Sequence, residues 1–130
     1  DHFRVQVQIT YLLLLWNIEE GGGNCEEFLS NSYLSGVAQI TDQTFILSGY
    51  GRVPFATPVD NGSVLQGELW LCFPEDFQYV QALELGAGYD EQKMTARIWD
   101  EDVEVTIFTY EFVGDNKVEG DVVEWPRYGK

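Results

Sequence analysis

Five strand-like stretches dominate this chain and are expected to form one curved sheet or barrel: Val5 to Trp16, Leu34 to Leu47, Val64 to Phe73, Met94 to Trp99 and Val103 to Phe112. In the first, Val5, Val7, Ile9 and Tyr11 alternate with Arg4, Gln6, Gln8 and Thr10, the period of a half-buried strand. The run then becomes continuous through Leu12 to Trp16, as expected of a strand covered on both faces. Helical signals are fewer. Asn24 with Glu27 forms a capping-box pattern ahead of Phe28 and Leu29, and Pro74 opens a stretch in which Phe77, Val80 and Leu83 recur at helical spacing until Gly86 and Gly88. Thr41-Asp42-Gln43 interrupts the second strand stretch, the acidic Asp100-Glu101-Asp102 joins the last two as a hairpin, and Ser48 to Gly62, with Gly49, Gly51, Pro54, Pro58 and Asn61-Gly62, reads as a loop. The order is β-α-β-loop-β-α-β-β, an α+β domain. Periodicity alone leaves a small mixed barrel and an open sheet equally open.

Composition narrows the partners. The 130 residues carry 22 acidic and 7 basic side chains, a net charge of -15. Nucleic-acid phosphates need lysines and arginines to neutralise them, and an anionic membrane surface repels such a chain. Tyr11 to Trp16 is the longest apolar run, far short of the ~20 residues of a membrane helix. Cys25 and Cys72 lack the spacing of a zinc site or a disulfide framework, and Asp1-His2-Phe3-Arg4 does not read as a signal peptide, so a reducing cytoplasm is the expected setting. His2 is the only histidine, which removes histidine-based triads and histidine-rich metal sites. No phosphate-loop or dinucleotide fingerprint is present, so the residues give no sign of a metal or organic cofactor. One domain over 1–130 is predicted, with a core over about 4–112 and a polar tail over 113–130 anchored by Val122, Val123 and Trp125.

Glu84 has the clearest chemical signal. Four residues after Val80 and seven after Phe77, it borders the buried helix face in the last turn, where burial and the helix dipole both oppose its charge and raise its pKa. The alternative is a rim carboxylate whose head reaches water. Gly21-Gly22-Gly23 before a helix start presents backbone N–H groups suited to a carboxylate or oxyanion, or else is a simple turn. Glu19 and Glu20 beside it suit an ammonium group. Glu68, in an alternating strand, reads as outward-facing; Tyr89 closes a pocket or packs in the core; Cys25, near a helix start, lacks a base to activate it.

The order of motifs resembles the γ-glutamylcyclotransferase-like family. Leu12 to Leu29 (LLLLWNIEEGGGNCEEFL) aligns with the family's first strand, glycine loop and short helix. Gly51-Arg52-Val53-Pro54 stands at the family's Gly-x-Tyr-Pro, Val64 to Trp70 (VLQGELW) matches its V-x-G-E-(L/V)-(Y/W) strand, and Val80 to Glu84 occupies its Leu-Asp-x-x-Glu slot with Tyr89 beyond. Trp16-Asn17-Ile18-Glu19 departs from Tyr-Gly-(Ser/Thr)-Leu, and Val53 replaces a tyrosine. The resemblance implies a small mixed β-barrel with two short helices. It implies cleavage of a γ-glutamyl amine or peptide to 5-oxoproline and a free amine, with Glu84 as the proton-transferring residue. The ligand, a small γ-glutamyl compound, would be held by Trp16, Asn17, Ile18, Glu19, Gly21, Gly22, Gly23 and Tyr89. The departures at Asn17, Ile18 and Val53 favour a rival reading, a non-catalytic binding protein on the same fold, which the retained Glu84 opposes; an acidic module for a basic partner is a third reading.

Overall fold

The computed structural model describes residues 10–15, 32–51 and 53–125. The capping-box helix, His2, Cys25 and the first strand before Thr10 lie outside the described residues. Five strands close on themselves: β1 (Thr10–Leu14), β2 (Tyr33–Ile40), β5 (Val64–Cys72), β6 (Asp90–Ile98) and β7 (Glu101–Thr109) pair in the order β1-β7-β6-β2-β5, and β5 returns to β1. The β1–β7 pair is parallel and the others antiparallel, so the sheet is a mixed barrel. Among the described residues one helix, α1 (Pro74–Gly86), lies on its outside, and none is long and apolar enough to cross a membrane.

The continuous apolar run of β1 has the predicted cause. Leu13 points into the barrel with Ile40, Leu69 and Ile107, while Leu12 and Leu14 face outward into a second core with Trp70, Phe108 and Val80 of α1. All three leucines are buried. Gly67, in the sequence VLQGELW, lets β1 approach: a Cβ there would stand 2.5 Å from the Leu14 carbonyl oxygen. The motif glycine therefore fixes the end of β1, where the candidate site begins.

The structure corrects several expectations. Leu34 to Leu47 is not one strand but β2 and the start of β3 (Thr44–Tyr50), which lie in different sheets, and Ser48 to Gly62 is not a loop: β3 and β4 (Val53–Val59) form a hairpin. Its prolines are tolerated because β4 is an edge strand, and Pro54 and Pro58, four residues apart, both turn their missing N–H away from β3. The β6–β7 turn is Trp99-Asp100 rather than Asp100 to Asp102; both residues have positive φ (53° and 62°), as a two-residue type I′ turn requires. Glu101 and Asp102 are then exposed strand residues opposite Ile98 and Arg97. In α1 the buried stripe is Asp76, Val80 and Glu84, and Leu83 is exposed. The core also passes 112. β8 (Asn116–Lys117) pairs with β3, β9 (Val122–Val123) runs parallel to β5, and Val123 and Trp125 enter the barrel core while Val122 stays half exposed.

Candidate active site

Helix α1 begins with Pro74 at its first turn, where the missing N–H costs nothing, and carries Glu75 and Asp76 near its positive end. Its barrel-facing stripe repeats every four residues, so Val80 packs on the outer core and Glu84 follows one turn later at the negative end. Glu84 is 9% exposed and has no side-chain hydrogen-bond partner among the described residues. Burial pushes its carboxyl from an ordinary 4.5 up to about 7. The helix terminus, with no basic residue in its last turn, acts in the same direction.

The carboxyl lines a cavity of about 10 Å³, room for one water-sized group, together with Leu13, Leu14, Leu15, Pro54, Tyr89 and Phe108. The turn after α1 is pinned. The Tyr89 N–H donates to the Glu84 carbonyl (3.0 Å), and the Tyr89 hydroxyl donates to the Pro54 carbonyl on the free edge of β4 (2.7 Å). Burial, and then the neighbouring charge of Glu84, push the Tyr89 phenol up. Gly88, at φ +95°, supplies the left-handed step that this return needs.

Glu84 and Tyr89 thus meet at one pocket. Trp16, Asn17, Ile18, Glu19, Gly21, Gly22 and Gly23 lie outside the described residues; Leu15, directly before them in the chain, lines the same pocket as Glu84. Glu68 is not outward-facing toward water: it is 4% exposed on the barrel's outer layer beside Leu14, and its carboxylate accepts a hydrogen bond from the Trp70 indole (3.1 Å). Alternation placed it on the correct face, but that face is itself covered. Cys72 is fully buried, and desolvation pushes its thiol up to about 11, against a lowering hydrogen bond from Ser32 and with a smaller raising contribution from Asp76. It is a poor nucleophile. Pro54 and Phe108 were missed as pocket residues; Pro54 was hidden by the loop reading, though it stands in the family-like Gly51 to Pro54 motif.

A carboxyl near 7 exchanges protons readily at neutral pH. It also makes stability depend on pH. Below about 4.5 Glu84 is protonated in folded and unfolded chains alike. Between about 4.5 and the folded value near 7 the unfolded chain has ionised while the folded chain still holds its proton, so stability falls as pH rises and the full loss, about 3 kcal/mol, is reached above about 7. Glu84→Gln is therefore expected to gain up to about 3 kcal/mol over the parent at pH 8 compared with pH 4.5. Urea denaturation at the two pH values measures this; an equal difference at both would contradict a buried, proton-holding Glu84.

No protein-family model matches the sequence, and no curated protein matches it. Solved structures do match. An AIG2-like protein from Mus musculus superposes with a TM-score of 0.71 at 12% identity, covering 95% of this chain and 99% of that one. PH0828, an uncharacterized protein from Pyrococcus horikoshii, gives 0.70 at 13% identity over 87% of this chain and 88% of that one. YkqA from Bacillus subtilis gives 0.67 at 14% identity over 88% of this chain and 39% of that one. At these identities the likeness is one of fold. The closed five-stranded barrel with its outer helix is the γ-glutamylcyclotransferase-like fold that the AIG2-like protein shares.

Proposed function

We propose that this protein is a cytoplasmic γ-glutamylcyclotransferase-type enzyme that cleaves a γ-glutamyl amine or peptide to 5-oxoproline and a free amine. The observation that carries the reading is the buried Glu84 carboxyl, raised to about 7, in a pocket that the end of β1 also lines. In the reaction the substrate's own α-amine nitrogen bonds to the γ-carbonyl carbon. Glu84 takes the proton released by that nitrogen and delivers it to the leaving nitrogen as the γ-amide C–N bond breaks. Holding amine and carbonyl together makes the attack intramolecular, which is where much of the acceleration arises. Backbone amides of Trp16 to Gly23 would bind the glutamyl carboxylate and the developing oxyanion, Glu19 would accept a hydrogen bond from the neutral α-amine and so orient its lone pair, and Tyr89 would fix the pocket wall.

A non-catalytic binding protein on the same fold is the second reading. Val53 favours it: at the start of β4 and next to the pocket-lining Pro54, it offers no hydroxyl where the family has a tyrosine. Product analysis separates the two. Incubation with a panel of γ-glutamyl amines is expected to yield 5-oxoproline and amine in a one-to-one ratio; binding without any 5-oxoproline would leave only the second reading.

A further inference from the structure

The pocket has two kinds of wall. On the β1 side Leu13 to Leu15 lead toward the glycine loop, which in the proposed reaction holds the glutamyl half. On the other side stand Pro54 and Tyr89. Tyr89 is also the inner end of a row of rings. Its ring centroid lies 5.0 Å from Tyr110 and 6.1 Å from Phe55; Phe55 and Tyr110 stack at 4.4 Å and 16°; Tyr110 meets Phe112 at 6.1 Å and 60°. Exposure rises along the row, from 8% at Tyr89 through the half-buried Phe55 and Tyr110 to 69% at Phe112. It therefore runs from the pocket to open solvent.

This row is held in place. The Tyr110 N–H donates to the Ala56 carbonyl (2.9 Å), and the Thr57 hydroxyl reaches the carbonyls of Tyr110 (2.7 Å) and Phe112 (3.2 Å). Gly88, with no side chain, leaves the edge of the Tyr110 ring uncovered; even a Cβ there would touch that ring at 3.6 Å. A fixed stack ending in an exposed ring offers its free faces to another flat ring, and such pairs prefer offset or tilted contact beyond simple apolar burial.

We propose that Tyr89, Phe55, Tyr110 and Phe112 form the subsite for the leaving amine and select γ-glutamyl derivatives of aromatic amines over saturated amines of equal size. The proposal rests on the cyclotransferase reading for which half of the substrate lies there. Proton delivery requires the leaving nitrogen at Glu84, and the substituent on that nitrogen then extends past Tyr89 along the rings.

The test compares γ-glutamyl-2-phenylethylamine with γ-glutamyl-2-cyclohexylethylamine, measuring Kd by calorimetry and 5-oxoproline release in parallel. The parent protein is expected to bind the phenyl compound about two- to tenfold more tightly, the worth of one aromatic pair. Phe112→Leu, at an exposed position that keeps an apolar side chain, is expected to narrow the difference between the two Kd values, since it removes one of the four rings. Equal affinities in the parent, a preference unchanged in Phe112→Leu, or no binding of either compound would overturn the subsite. A preference in Kd without 5-oxoproline keeps the subsite and removes the reaction; 5-oxoproline released without preference does the reverse.

Discussion

Glu84→Gln is expected to lower 5-oxoproline release by about 10²–10⁴-fold while leaving the affinity for γ-glutamyl amines nearly unchanged, the usual worth of general acid–base catalysis. Gln keeps the shape and polarity of the side chain in its cavity but cannot take a proton from one nitrogen and return it to another. Because Glu84 has no side-chain hydrogen-bond partner among the described residues, the substitution dismantles no network there, and the loss in rate is attributable to the missing proton relay. Glu104→Gln is the matching control, since its side chain is 75% exposed on β7. Glu68→Gln is not: its carboxylate is buried against the Trp70 indole, so the change disturbs packing beside Leu14. Steady-state kinetics with any turned-over γ-glutamyl amine measures the effect; equal rates for Glu84→Gln and the parent would remove Glu84 from the chemistry.

Trp125→Ala is expected to destabilise the protein by about 3–5 kcal/mol, the range for emptying a buried aromatic site. Trp125 is 3% exposed and joins Val123, Leu65, Phe45 and Leu47 in the barrel core. Its ring lies directly on Gly49, where even a Cβ would collide with it, so on that side no side chain is present to relax into the void. Against a total stability of about 5–15 kcal/mol this is a large share, and the urea midpoint should fall accordingly. Trp99→Ala supplies the contrast. It is 79% exposed at the β6–β7 turn, with one long hydrogen bond from its indole to the Ser35 carbonyl (3.3 Å), and the expected change is only about 1 kcal/mol. Equal midpoints for Trp125→Ala and the parent would mean that the segment after Phe112 is not part of the core.

The two tryptophans also mark what the sequence made legible. Strands whose side chains alternate, such as Met94 to Ile98 inside β6, or run continuously apolar, as in Leu12 to Leu14, were readable because burial imposes those patterns. Trp125 was legible as an anchor but not as core, since its neighbours from Gly114 to Glu124 are mostly polar and are held by short pairings with β3 and β5. The β3–β4 hairpin was hidden by Pro54 and Pro58, which an interior strand excludes but an edge strand accepts. Glu68 defeated the period-two rule because both faces of β5 are covered. Glu84 was legible from helical spacing, although the helix is rotated so that Leu83 leaves the core and Glu84 lies on the buried stripe itself. Its nearness to the end of β1 and to Pro54 comes from the packing of α1 against the barrel and of the β3–β4 hairpin beside it, which local sequence does not encode.

The central claim is that a buried glutamate near neutral pKa drives an intramolecular γ-glutamyl transfer. Following kcat/KM for 5-oxoproline release between pH 5 and pH 8 tests it most directly. The rate is expected to rise with the ionisation of one group of apparent pKa about 7, that of Glu84, and this dependence is expected to vanish in Glu84→Gln. Release of glutamate in place of 5-oxoproline, or a rate governed by a carboxyl titrating at its ordinary value of about 4.3, would contradict it.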